Sequence, residues 1–182
     1  MKMRSEPNHN HAGFTILELM IAITVAVILL TLAIPSFQET FKRNEIAGQN
    51  NELVALIHTA RNEAIRRNPL SNEVVRLDLE VDADEPAWQA FVYPPGIGEG
   101  VEGCPLGSIR CSENERVLLS ANSMSIQFDN RGYSVVGGVP TEVEILLVHR
   151  DCSSDQHARR IRVQPAGQVN SRRVACDFEI SD

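Results

Sequence analysis

The chain has 182 residues, 43% of them hydrophobic, with 17 Lys and Arg against 24 Asp and Glu and a net charge of −7. This length suits one domain with an appendage, and a varied composition with 23% charged residues excludes wholesale disorder. The acidic balance and 5% aromatic content exclude a general nucleic-acid coat and a base-stacking platform. The concentration of apolar residues near the N-terminus excludes both a polytopic membrane protein and an ordinary cytosolic enzyme.

Residues 1–13 are polar and carry Lys2 and Arg4. Phe14 to Ile34 then runs for 21 residues with one charge, Glu18. At about 1.5 Å per residue a helix of this length reaches roughly 30 Å, enough for a bilayer core. The cationic flank predicts an N-terminus on the cytoplasmic side and the bulk of the chain outside. A cleaved secretory signal ending near Thr31-Leu32-Ala33, a plain anchor and a buried core helix compete with this reading. Against them stand the length of the run, its retained carboxylate and its lack of a polar face. Glu18 is costly in an apolar segment, about 2.5–3.5 kcal/mol at the bilayer centre and less near an end. It therefore calls for a cation on a neighbouring subunit or a free amino terminus close by.

Gly13-Phe14-Thr15-Ile16-Leu17-Glu18, followed by the apolar run to Ala33-Ile34-Pro35-Ser36-Phe37, resembles the class III signal of type IV pilins and type II secretion pseudopilins. The resemblance implies removal of residues 1–13 by a prepilin peptidase after Gly13 and N-methylation of Phe14. The apolar run at 14–35 is then retained as a membrane and filament-core helix, and Glu18 meets the amine of a neighbouring Phe14 during assembly. Pro35 falls where such helices commonly break or bend, as a residue without an N–H should cause.

Ile46, Leu53, Ile57, Ala60 and Ala64 recur at helical spacing, which predicts an amphipathic continuation over 36–68, ended by Asn68-Pro69. The segment from Glu52 to Asn68, with Leu53, Ala55-Leu56, Ala60-Arg61, Glu63-Ala64-Ile65 and Arg67-Asn68, resembles the end of the long helix in the GspH/FimT group. Further on, Val75, Leu77, Leu79 and Val81 alternate with charged residues as a half-buried strand does. Trp88, Ala90 and Val92 suggest a second strand, and Trp88 reads as core. Residues 94–112 read as a Pro- and Gly-rich loop. Short strands follow at 117–119 and 123–128. Asp129-Asn130-Arg131-Gly132 turns into 133–136, and Gly137-Gly138 interrupts the strand pattern. Val143 to Val148 is the most apolar strand and reads as central. Arg160 to Gln164 and Gln168-Val169 flank the turn Pro165-Ala166-Gly167. The two hairpin pieces IQFDNRG and RIRVQPAGQV also resemble that group.

Four cysteines, Cys104, Cys111, Cys152 and Cys176, all follow the apolar run. An even count outside the cytoplasm favours two disulfides over zinc, since no paired Cys-x-x-Cys units occur. Three connectivities are open, and local spacing favours Cys104–Cys111 with Cys152–Cys176. No catalytic constellation stands out. His58 and His149 read as surface or packing residues, and Ser153 to His157 reads as a turn rather than triad material. Charge is uneven: residues 78–115 hold nine carboxylates and one arginine, whereas six arginines lie from Arg150 onward. Arg160, Arg162, Arg172 and Arg173 are candidate DNA contacts, because FimT-type pilins active in DNA uptake carry a basic C-terminal patch with a Gly-Arg-x-Arg-like hairpin. Gly167 is followed by Gln168 here, which departs from that pattern.

The expected fold is α+β of the pilin kind, with a long N-terminal helix, half transmembrane and half amphipathic, packed on an antiparallel sheet in a head spanning 36–182. The expected function is a non-catalytic minor pilin of a type IV pilus, acting in assembly priming or a tip complex. The alternatives are an H-type minor pseudopilin of type II secretion or a pilus-associated DNA receptor. Expected partners are other pilins, the prepilin peptidase/N-methyltransferase, the inner membrane and, on the last alternative, DNA. No cofactor or metal is expected. The head would stand in the periplasm before assembly and in the pilus or pseudopilus afterwards.

Overall fold

The structure, a computed structural model, describes residues 15–68, 74–81, 88–95, 108 and 110–177. The chain divides into two compact units, 1–40 and 41–182. Helix α1 (Ile16–Arg67) is 52 residues long and includes Pro35, so the helix does not break there. Proline removes one intrahelical hydrogen bond, and the bonds of the adjoining turns carry the helix past it.

The first unit contains the apolar part of α1. Its large side chains, from Ile16 through Ile34, are exposed, and this stretch is long and apolar enough to cross a membrane. Thr24 and Thr31 donate their hydroxyls to the carbonyls of Met20 and Ile28. That back-bonding satisfies both hydroxyls on a surface that is otherwise hydrocarbon apart from Glu18.

In the second unit the stripe foreseen from the spacing is buried. Ile46, Leu53, Ile57, Ala60 and Ala64 are joined by Leu56 and Asn50. They pack in one core with alternate residues of β1 (Val75–Val81), β2 (Trp88–Tyr93), β4 (Val117–Ala121), β5 (Ser125–Phe128), β8 (Val143–His149) and β9 (Ala158–Val163). Trp88 is fully buried there. Val75, Leu77 and Leu79 point inward, as their alternation predicts, whereas the last residue of the pattern, Val81, is 41% exposed.

The strands form two antiparallel sheets rather than one. The first has the order β3-β2-β1-β5-β6-β7, with β3 (Arg110–Asn114), β6 (Ser134–Val136) and β7 (Val139–Pro140). The second has the order β10-β9-β8-β4, with β10 (Val169–Arg173). The apolar strand β8 is internal to its sheet, as expected. Two readings need correction. Residues 110–112, expected as the end of a loop, belong instead to a strand over 110–114 that pairs with β2 from Val92↔Arg110 to Trp88↔Asn114. Their polar sequence has weak β-propensity, and the edge of β2 supplies the ladder that propensity does not. The last strand also continues past Val169 to Arg173, pairing throughout with β9. Gly137-Gly138, both at positive φ, form the turn that folds β7 back on β6.

Cys152 and Cys176 form a disulfide, with Cα atoms 5.8 Å apart and a sequence separation of 24. This matches the pairing that spacing favoured. Cys111 is disulfide-bonded too, and Cys104 lies outside the described residues. Opening the 152–176 loop should cost about 3 kcal/mol in the chain-entropy account. Cys152→Ser with Cys176→Ser is thus expected to lower the melting temperature by roughly 6–12 °C, measured by circular dichroism on the oxidised full chain. An unchanged melting temperature would show that the bridge does not restrain the unfolded chain.

Candidate functional site

Glu18 stands in the first turn of α1. Thr15 precedes the helix and its Oγ1 accepts the Glu18 backbone N–H at 3.2 Å, while its carbonyl accepts the N–H of Leu19. Thr15-Ile16-Leu17-Glu18 therefore has the spacing of a capping box, with threonine at the cap and glutamate three residues on. A carboxylate at this position is favoured by the helix dipole, and the exposed N-terminal turn leaves it available to a partner. Gly13 and Phe14, the expected processing and methylation positions, lie outside the described residues, as does the expected leader 1–13.

The C-terminal arginines are separated by strand alternation. On β9, Ile161 and Val163 face the core while Arg160 and Arg162 lie on the opposite face of the strand, Arg160 buried and Arg162 half-buried. On β10, Asn170 and Arg172 lie beside Arg162 and Arg160, and Arg173 lies on the other face opposite Arg159. Arg160, Arg162, Gln164, Asn170 and Arg172 line a shallow cavity of about 110 Å³. Three of the four proposed DNA contacts thus come together, and Arg173 does not join them. The physical reason is the continuation of β10, which places consecutive residues on opposite faces.

The outward cluster is already partly neutralised. Arg162 donates through Nε and Nη2 to Glu144 Oε1 at 2.9 and 2.6 Å, and Arg162 Nε lies 3.1 Å from Glu142 Oε1. Glu144 Oε1 also lies 3.5 Å from Arg160 Nη1. The hydrogen bond from Arg162 to Glu144 raises the guanidinium pKa above its ordinary value. Arg172 makes no such pair among the described residues.

Two histidines, His149 and His157, are buried, and His58 is exposed on α1. His149 is buried and its Nε2 lies 3.4 Å from Glu45 Oε2, while Asp151 donates its backbone N–H to Nδ1. His157 is 1% exposed, and Ser153 donates its backbone N–H to the His157 Nδ1. Ser153 Oγ also lies 3.3 Å from that nitrogen, but the contact sits inside one tight turn around a ring that no substrate can reach. Among the described residues there is no group of three or more His, Cys, Asp or Glu that could hold a metal.

The contacts of Arg61 are not readable from the sequence. From α1 its Nε donates to the Gly132 carbonyl at 3.1 Å and its Nη2 to the Ala166 carbonyl at 3.5 Å. One guanidinium thereby holds together the turn between β5 and β6 and the turn between β9 and β10.

Comparison with known proteins gives two family matches. The prokaryotic N-terminal methylation motif matches residues 8–34, and the family described as type II transport protein GspH matches residues 49–167. The competence protein ComGC of Halalkalibacterium halodurans is 46% identical over 43 residues, covering 24% of this chain; the chain spans only 39% of that relative. Among solved structures, the type IV minor pilin FimU of Pseudomonas aeruginosa is similar at 19% identity and a TM-score of 0.49, over 70% of this chain and 88% of that one. The minor pseudopilin EpsH of the Vibrio cholerae type 2 secretion system is similar at 12% identity and a TM-score of 0.41, over 71% and 95%.

Proposed function

The chain belongs to the family of the type II transport protein GspH, and on that premise we propose that it is a non-catalytic minor subunit of a type IV pilus, acting in assembly priming or the tip complex. The carrying observation is the succession of parts in one chain. A methylation motif over 8–34 opens a helix with an exposed apolar surface, and that helix continues into a head matched over 49–167. In this reading a prepilin peptidase cuts after Gly13 and Phe14 is methylated. The segment 14–35 waits in the inner membrane with the head, 36–182, in the periplasm. Assembly transfers the apolar surface from lipid to the helices of neighbouring subunits, which keeps it from water throughout, and Glu18 meets a neighbour's terminal amine. A type II secretion pseudopilus would use the same parts. In a host lacking the prepilin peptidase the chain should be absent from sheared surface filaments and retained in the membrane. Its appearance in the sheared fraction of that host at wild-type level would refute the reading.

A second reading, DNA capture during uptake, draws on the outward arginines and on the likeness to a competence protein. The pairing of Arg160 and Arg162 with Glu142 and Glu144 counts against it, because, of that cluster, only Arg172 is left to meet phosphate. One or two neutralised phosphates give a log–log salt slope of about −0.9 to −1.8. The full chain in detergent is expected to shift duplex DNA weakly and only at low salt, and Arg172→Ala should remove that shift. Sub-micromolar binding at physiological salt would promote the DNA reading to first place.

A further inference from the structure

The two faces of the β9–β10 ribbon treat arginine differently. Outward, Arg160 and Arg162 share Glu144. On the core-facing side Arg159 lies directly opposite Arg173 across the ladder, with Leu147 of β8 on its other flank. Neither arginine has a carboxylate partner among the described residues. Arg159 is partly buried, and its Nε is fully enclosed with no hydrogen-bond acceptor. Burial, and secondarily the Arg173 charge, lower its pKa from the ordinary value. Like charges directly opposite each other on a sheet are destabilising, and an enclosed cation without an acceptor adds to that cost.

We propose that Arg159 and Arg173 form a docking point for a carboxylate side chain of a neighbouring filament subunit. The pair lacks one thing, a negative charge, and a planar carboxylate can accept from both guanidinium groups at once. Access is open from one direction, because β10 is the edge strand of its sheet and Arg173 is exposed. On α1, Glu45 is engaged by His149 and lies 4.0 Å from Arg116. Ser171, on the same face of β10 two residues before Arg173, donates to Asn50 of α1, so the pair lies beside α1, the element through which the filament reading has subunits pack. The inference rests on the filament reading for its partner, but not for its chemistry.

Arg173→Glu separates the two. In the full chain in detergent it supplies the missing charge from within, so the melting temperature should rise by about 2–4 °C. Citrate, used as a free carboxylate, should raise the melting temperature of the wild type by a similar amount and leave Arg173→Glu unmoved. Arg131→Glu, in the turn of the other sheet, should keep the citrate response. In cells Arg173→Glu should reduce recovery in sheared filaments at least fivefold despite its higher stability, which a purely structural arginine would not do. A lowered melting temperature in Arg173→Glu, or an equal citrate response in both proteins, overturns the docking point. Phosphatidylglycerol vesicles or duplex DNA protecting the wild type better than citrate, with that protection lost in Arg173→Glu, overturns the carboxylate in favour of lipid or nucleic acid. If the wild type itself is missing from filaments while the citrate discrimination holds, the filament reading and its neighbour fail and the carboxylate site stands.

Discussion

Gly167→Ala is expected to destabilise the head by about 3–5 kcal/mol and to lower its melting temperature by roughly 10 °C. Gly167 has φ +74°, in the left-handed region, where a Cβ costs about 1–2 kcal/mol. The larger effect is contact. A Cβ there would lie 2.0 Å from the Gly132 carbonyl oxygen and 2.5 Å from Arg61 Nε. The oxygen is the acceptor of the Arg61 Nε hydrogen bond, so the added methyl must separate two turns and displace the guanidinium joining them. A lost hydrogen bond to a charged group is worth about 1.5–3 kcal/mol. Gly132→Ala is the matched comparison. Its φ is +79°, but its Cβ would meet the Ile65 Cδ1 at 2.9 Å and Arg61 Nε at 3.0 Å, both on side chains that can shift. It should cost about 2 kcal/mol less. Equal melting temperatures for the two variants would show that the turns do not pack through Gly167 as described.

Glu18→Ala is expected to leave the chain in the membrane and to reduce its recovery in sheared filaments at least tenfold. Removing the carboxylate makes an apolar segment more apolar, so insertion becomes easier rather than harder. The capping hydrogen bond from the Glu18 backbone to Thr15 Oγ1 does not need the side chain, so the helix start should persist. The variant loses only the side-chain charge at the exposed first turn, the charge that the assembly reading pairs with a neighbour's amine. Tenfold corresponds to about 1.4 kcal/mol, a modest demand for a carboxylate meeting an amine away from water. Membrane and sheared fractions compared by immunoblot give the ratio, and wild-type recovery in filaments would remove Glu18 from the assembly mechanism.

The parts of the fold written in periodic apolar residues were legible in advance. The run from Phe14 to Ile34, the stripe from Ile46 to Ala64 and the alternation at Val75, Leu77 and Leu79 each carry their own geometry. What was not legible depended on pairing between distant segments. Cys111-Ser112-Glu113-Asn114 becomes a strand because β2 offers an edge, and nothing in those residues announces it. Asn170 to Arg173 has little strand character, yet β9 extends it. That extension places Arg172 and Arg173 on opposite faces and divides what looked like one basic patch. The turns at Gly132 and Gly167 were readable singly from Asp129-Asn130-Arg131-Gly132 and Pro165-Ala166-Gly167. Their joint packing on Arg61, 71 residues before Gly132, was not. The Cys152–Cys176 bridge was accessible by spacing because both cysteines flank one hairpin.

The central claim, that this chain is a processed and assembled filament subunit, is tested most directly by the intact mass of the protein recovered from sheared surface filaments of a host with an active prepilin peptidase. The account predicts a polypeptide beginning at Phe14, heavier by one methyl group and lighter by the hydrogens of its disulfides. A mass that retains residues 1–13, or one that begins after Ala33 as a cleaved secretory signal would leave it, would contradict the account.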